Sequence, residues 1–440
     1  MEQRSPSDAL ILPAPTAPDT PRRTLRGALP YANAVPATAS STLSGADPTV
    51  GATLSNVLIL GTHAGANRQP RAAVELDELE ELARTLGATV VERRLVNLRE
   101  PHPATLLGSG TVASITDRLG QLGHPAVLVN DALTPRQQRN LQEAWKVPVL
   151  DRTEVILAIF ARRAGTAEGR IQVEMAQLEH LLPRLAGGWR HLERQRGGVR
   201  LRGGPGETQI EVDRRLIGQR LKRLRQRLSE LERRRGVQRR ARQDVPLAAC
   251  ALVGYTNAGK STLLNALTNS TVLADNLLFA TLDPTSRIHS LPSARRVILT
   301  DTVGFIQNLP TELVEAFAAT LEEVKQAHIL AVVVDASHPD AEAQLTTVLE
   351  TLESMDCRQP AILVMSKVDR LDDNTRALMA GRLAAIADTA PIMVCSRTGE
   401  GIKDLRSAID IIAARVVPDT RANLPTLGTA AYANGEHAST

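Results

Sequence analysis

The run AACALVGYTNAGKSTLLNAL, residues 248–267, joins an apolar stretch of strand length to a helix-like one through a glycine-bearing turn. Gly254, Tyr255, Thr256, Asn257, Ala258, Gly259, Lys260 and Ser261 spell G-x-x-x-x-G-K-S, and Thr262 follows. No other stretch constrains the fold as tightly. A loop of this kind works where a buried strand ends and a helix begins, so this part of the chain is α/β. Its glycines let backbone N–H groups wrap closely around phosphates, and the helix N-terminus adds positive potential. In that setting Lys260 reaches the β- and γ-phosphates and Ser261 ligates Mg²⁺. The plain alternative is an ordinary glycine-containing strand–helix turn. Alone, the motif implies a nucleoside triphosphate and does not name the base.

Three further short motifs follow in order, each at the end of a strand-like run. Asp301, Thr302, Val303 and Gly304 follow ARRVILT. Asp301 can hold Mg²⁺ through water, and the Gly304 N–H can meet a γ-phosphate. Ser366, Lys367 and Asp369 follow AILVM. The Asp369 carboxylate can accept from guanine N1–H and its 2-amino group, a donor pair that adenine lacks. The Lys367 stem would pack along the ring. Cys395, Ser396 and Arg397 lie in VCSRTGEG, where a backbone N–H can approach guanine O6. Four such elements in this order imply a GTPase domain over residues 247–418, with Mg²⁺ as cofactor and GTP as substrate. Phe305 stands directly after the DTVG element and cannot orient a water. Hydrolysis must then rely on backbone groups, another side chain or an external partner.

Upstream, VLILGT, ATVVERRLV, AVLVND and VPVLDR alternate with helical patterns, which predicts a small, mostly parallel α/β domain over residues 51–165. Thr134 and Pro135 mark one helix start. Residues 166–243 carry two helical seams. Ile171, Met175, Leu178, Leu182 and Leu185 are spaced four, three, four, three, and Ile217, Leu221, Leu224, Leu228 and Leu231 repeat that spacing. Matched a/d seams predict an antiparallel helical hairpin, a coiled coil. Its tip, residues 186–208, contains RQRGGVRLRGGPGET, rich in Gly and Arg and too long for a simple connector. The second helix is basic, with Arg214, Arg215, Lys222, Arg223 and Arg227 among its cations, so either a solvated face or nucleic-acid contact suits it. The GTPase domain begins well downstream of the tip and is expected to fold separately. Residues 1–50 and 419–440 are rich in Pro, Ala, Ser and Thr and read as disordered tails. With three scattered cysteines and no membrane-spanning apolar run, a reduced, cytoplasmic protein is expected.

The chain resembles the HflX GTPases over residues 56–418. The resemblance rests on VNDALTPRQQRNLQ, on VPVLDRTEVILAIFARRAGTAEGRIQVEMAQLEHLLPRL, on RGGPGETQIEVDRR, and on LFATLDPTSR and DTVGFIQNLP. It implies a ribosome-associated GTPase, expected as a monomer, whose hairpin reaches the large (50S) ribosomal subunit. The tip would touch ribosomal RNA near the peptidyl-transferase centre, and the protein would act in rescue or subunit splitting. It also implies that Thr281 is the switch threonine closing on Mg²⁺ and the γ-phosphate, with Thr285 as the alternative. Lys260, Thr281 and Gly304 would then carry catalysis, and Ser261 with Thr281 would hold the metal. The sequence departs from the family pattern at Ser366, where Asn is usual, and at Cys395, Ser396 and Arg397, where Ser-Ala-Lys is usual. Ser366 is expected to give up the amide's contacts to the base and to the phosphate loop. Thr111, in GSGTVASI, stands where the family tends to have Lys, so Gly108 and Gly110 read as a plain turn rather than an ATP site. Two other classes compete: an RNA-binding assembly or remodelling factor regulated by nucleotide, and a P-loop kinase of small metabolites. The base-reading and switch elements argue against the kinase.

Overall fold

Four parallel strands form the first sheet, in the order β2-β1-β3-β4: β1 (Asn56–His63), β2 (Thr89–Asn97), β3 (Ala126–Val129) and β4 (Val149–Asp151). The computed structural model describes residues 54–188, 209–243, 247–268, 278–279, 282, 284–307 and 318–417. Most of the tip, Thr281 and both tails lie outside them. Residues Val57 to Leu60 are all fully buried because helices cover both faces of the sheet. Leu58 and Leu60 pack with Ile115, Leu119, Leu141 and Trp145 from α2 (Ser109–Gln121) and α3 (Pro135–Trp145). Val57 and Ile59 face Leu76, Leu79, Ile156 and Phe160 from α1 (Gln69–Thr85) and α4 (Arg152–Arg163). Thr134 caps α3 in a capping box with Gln137, and Pro135 opens the helix. Gly108 only precedes the first turn of α2; a side chain at it or at Gly110 would meet nothing within 4 Å.

The hairpin consists of α5 (Ala167–Gly188) and α6 (Gln209–Gln243). All ten seam residues predicted from the spacing lie in one cluster, with Ile171, Leu178, Ile217, Leu221 and Leu224 fully in its core. Ala167, Arg170 and Ile171 line a groove with Arg227, Glu230 and Leu231, so the helices run antiparallel. Arg220 and Arg225 pair with Glu174 and Glu179 of α5.

Arg184 ties the hairpin to the first sheet. Its guanidinium donates to Asp151 Oδ2 at 2.9 Å, Gln138 Oε1 at 3.0 Å and the Leu133 carbonyl at 3.3 Å. Asp151 and Glu154 also form the capping box that starts α4. Burial, with the Asp151 charge beside it, pushes the Glu154 carboxyl up to about 7. A carboxyl raised on folding contributes stability that is complete below its ordinary value near 4.5 and is lost as pH rises through 7. Glu154→Gln keeps a side-chain oxygen that accepts from the Asp151 N–H and removes the titration. Its urea midpoint should therefore improve against the parent between pH 5 and pH 7.5; an equal difference at both pH values would dismiss Glu154 as the titrating group.

The second sheet has six strands in the order β10-β9-β8-β5-β7-β6. They are β5 (Ala248–Gly254), β6 (Thr285–Ser290), β7 (Arg296–Asp301), β8 (Ile329–Asp335), β9 (Ala361–Ser366) and β10 (Ile392–Met393). Only β6 runs antiparallel, on β7. Helices α7 (Lys260–Thr268), α8 (Ala318–Gln326), α9 (Ala341–Ser354), α10 (Asp373–Ala387) and α11 (Ile402–Val416) flank the sheet. From β5 the chain passes to β6 and β7 on one side, and β8 lies on the other. The C-terminal end of β5 is therefore a topological switch point, where open α/β sheets bind ligands.

The GTPase domain, expected to fold separately, is packed against the first domain. One apolar core runs from Leu79 and Phe160 of the first domain to Leu278, Phe279, Phe305 and Ile306 of the second. Phe160 meets Phe279 edge to face, centroids 4.6 Å apart. Each domain carries its own strand–helix alternation, so this joint core has no local signature in the sequence. Among the described residues no helix is long and apolar enough to cross a membrane.

Candidate functional site

The phosphate loop is held by its own carbonyls and by three neighbouring strands. Gly254 leaves β5 at φ +153°, where a Cβ would lie 2.2 Å from the Val333 carbonyl oxygen. Gly259 has φ +93°, a conformation that favours glycine. Lys260 is buried and donates from Nζ to the Gly254 and Tyr255 carbonyls at 3.1 and 2.8 Å. Burial pushes its amine down to about 8, partly opposed by the Asp301 charge. Thr262 is exposed on the first turn of α7, Asn257 is exposed in the loop and Ala258 is buried. Ser261 Oγ donates to Asp301 Oδ2 at 2.6 Å. A hydroxyl and a carboxylate converging at a helix N-terminus are hard oxygen donors of the kind Mg²⁺ takes, so these residues fit that ion.

Residues 301–305 lie directly on this loop. Thr256 N–H donates to the Phe305 carbonyl at 2.8 Å, and Phe305 N–H donates to that of Gly254 at 3.0 Å. A Cβ on Gly304 would sit 2.7 Å from Thr256 Cα, so only glycine permits the approach. Thr302 Oγ1 donates to the Leu252 carbonyl at 2.7 Å, and Val303 is buried. Phe305 is buried in the shared core, a place suited to packing rather than to holding water.

Tyr255 points away from the loop interior. Its hydroxyl donates to Glu78 of α1 and accepts from Gln307 N–H at 2.8 Å. Arg152 of α4 pairs with Glu78 and donates to Asn130 Oδ1 at 2.9 Å and to the Gln307 carbonyl at 3.3 Å. Burial, and then the Glu78 charge, raises the Tyr255 phenol. The first domain therefore grips the phosphate loop through Tyr255 and the segment after Gly304 through Gln307. Glu78, Arg152 and Gln307 were missed from sequence, and no local pattern marks them.

The residues expected to read the base converge beside the same loop. Lys367, at φ +55°, donates to the Asn257 carbonyl at 2.8 Å and pairs with Asp335 at 2.7 Å. Ser366 Oγ lies 2.7 Å from the Ala258 carbonyl and 3.0 Å from that of Val334. The expected loss of the phosphate-loop contact is thus corrected: the hydroxyl is short, but the backbone brings Ala258 within its reach. A hydroxyl has one proton, so what Ser366 lacks is the amide's second donor. Asp369 accepts from Cys395 Sγ at 3.2 Å on Oδ1 and from Arg397 Nη2 at 2.8 Å on Oδ2. Arg397, and then Cys395, holds the Asp369 carboxyl below its ordinary range. Ser396 is half-buried between them in sequence. Thr285 opens β6 opposite Asp301, on the far edge of the sheet from these residues.

A phosphate-binding loop at the sheet's switch point, with the Gly304 segment packed closely against it, defines a P-loop GTPase. Residues 73–161 match the family described as GTP-binding GTPase N-terminal, 163–242 the GTP-binding GTPase middle region, and 249–367 the 50S ribosome-binding GTPase family. The GTPase HflX of Magnetococcus marinus is 50% identical over 335 residues, 76% of each chain. That of Escherichia coli is 42% identical over 346 residues, 78% of this chain and 79% of the relative. The chain belongs to the HflX GTPase family and is a GTPase. A solved GTP-binding protein from Sulfolobus solfataricus, in complex with GDP, is 20% identical, with 82% of this chain and 99% of that one aligned at a TM-score of 0.44.

Proposed function

We propose that this GTPase is a switch acting on the large (50S) ribosomal subunit, in ribosome rescue or subunit splitting. The observation that carries the reading is the polar clamp of Tyr255, Glu78, Arg152 and Gln307. It joins the phosphate loop and switch segment to the domain from which the hairpin projects. A change at the nucleotide can then be felt by the arm, and contact at the arm by the nucleotide. The family description of residues 249–367 as a 50S ribosome-binding GTPase supports the same partner.

In this reading residues 51–165, 166–243 and 247–418 are a support, a ribosome-reaching arm and a motor, and the chain acts as a cytoplasmic monomer. Arginines and glycines of the tip meet ribosomal RNA by phosphate contact, base stacking and close backbone approach. Lys260 and the loop N–H groups bind the β- and γ-phosphates, and the Gly304 N–H meets the γ-phosphate. Ser261, with Thr281, would hold Mg²⁺, anchored by Asp301; the ion neutralises phosphate charge when bound. Asp369 selects guanine. Because Phe305 packs in the core, basal hydrolysis is slow and rises when the ribosome orders the switches.

The test is a gradient profile of intact ribosomes incubated with the protein and a non-hydrolysable GTP analogue. Released subunits are the expected result. Intact ribosomes carrying bound protein would instead favour an assembly or remodelling factor.

A further inference from the structure

The base-reading carboxylate already has two donors from its own chain. Cys395 sits on Oδ1 from a fully buried position, whereas Arg397 reaches Oδ2 from solvent, with 77% of its side chain exposed. The two contacts differ in kind. A thiol is a weak donor that leaves Oδ1 a lone pair to spare. A guanidinium is a charged, planar group presenting N–H donors side by side. Guanine's N1–H and 2-amino group make the same pattern: two N–H donors in one plane aimed at one carboxylate.

We propose that Arg397 is a specificity-determining residue that competes with the guanine edge for Asp369 and so narrows the enzyme's preference for guanine over hypoxanthine. The inference rests on the reading of Asp369 as the base-recognition residue. Guanine needs both carboxylate oxygens and must displace Arg397. Hypoxanthine lacks the 2-amino group, needs one oxygen and leaves the other to Arg397. The arginine therefore penalises guanine and spares hypoxanthine. A solvent-exposed ion pair is a weak competitor, so the effect is a few-fold, and salt reduces it. Nothing else ties the Arg397 side chain: among the described contacts its guanidinium donates only to Asp369.

The experiment measures the binding of fluorescently labelled GDP and IDP to the full chain at low ionic strength. Arg397→Ala should raise the GDP-to-IDP affinity ratio by roughly three- to five-fold, with GDP tightened and IDP little changed. The gain should shrink toward the parent's ratio at high salt. An unchanged ratio would overturn the proposal. So would weaker binding of both nucleotides, which would mean that Arg397 stacks on the base. The base-reading assignment is tested separately by Asp369→Asn, which should abolish the preference of GDP over IDP. If Asp369→Asn keeps that preference, the assignment itself fails. If it loses the preference while Arg397→Ala changes nothing, only the role of Arg397 fails. In the double variant the Arg397→Ala effect should vanish, because its target carboxylate is gone.

Discussion

Replacing Arg152 by Ala should destabilise the protein by about 3–5 kcal/mol, the usual cost of removing one partner from a buried ion pair. Arg152 is buried, and its partner Glu78 nearly so. The substitution strands the Glu78 carboxylate with only the Tyr255 hydroxyl as donor among the contacts seen, and it leaves the Asn130 side chain and the Gln307 carbonyl without theirs. The large term is the uncompensated charge, not the lost attraction. That distinction can be measured. Adding Glu78→Gln to the Arg152→Ala variant neutralises the stranded group, and the new amide can still accept from Tyr255. The double variant should therefore be more stable than Arg152→Ala alone. Urea unfolding of the parent and both variants would decide it. A cost under about 1 kcal/mol for Arg152→Ala is what a solvent-screened surface pair gives; that result would refute the buried clamp and, with it, the route proposed between arm and nucleotide.

How far the sequence discloses such features depends on the distance over which each is encoded. The hairpin seam was readable residue by residue, because a helix returns the same face every three or four positions. The start of α3 was readable because a Thr-Pro pair with Gln137 caps a helix within one turn. The phosphate loop, the Asp301 element and the element expected to read the base stand out in the sequence because each is a short signature at a strand end. Tyr255 was visible as a loop residue, but its partner Glu78 lies 177 positions away, and nothing local distinguishes that glutamate from its neighbours on α1. The shared core was hidden for the same reason: Phe160 and Phe279 each look like an ordinary core residue of its own domain. Ser366 shows a different limit. Its residue type correctly signalled a lost amide, yet the retained contact to Ala258 depends on backbone placement that composition does not record.

Lys260→Ala should weaken GTP binding by about 2–5 kcal/mol, the usual cost of truncating a buried hydrogen-bonded charge in an interface, or roughly 30-fold to several-thousand-fold. The ammonium lies inside the phosphate loop, with Gly254 and Tyr255 carbonyls fixing its position. Among the described residues no other lysine or arginine side chain is seen donating to the loop except Lys367, which sits at Asn257 on the base side. A neutral methyl there leaves phosphate charge to backbone N–H groups and the metal ion. The fold should survive the change. Leu263, Leu264 and Leu267 hold α7 against the sheet from fully buried positions that do not involve Lys260. A buried amine pushed down to about 8 is itself under strain from desolvation, so its removal should cost the nucleotide-free protein little. A binding defect is therefore distinguishable from a folding defect. Thermal unfolding of the nucleotide-free variant should match the parent closely, while the rise in midpoint that GTP gives the parent should be lost, because stabilisation by a ligand follows its affinity for the folded state. A variant that melts as the parent does and still gains the full GTP shift would remove Lys260 from the phosphate site and, since the other loop residues were assigned by their order around it, would reopen the placement of the whole loop.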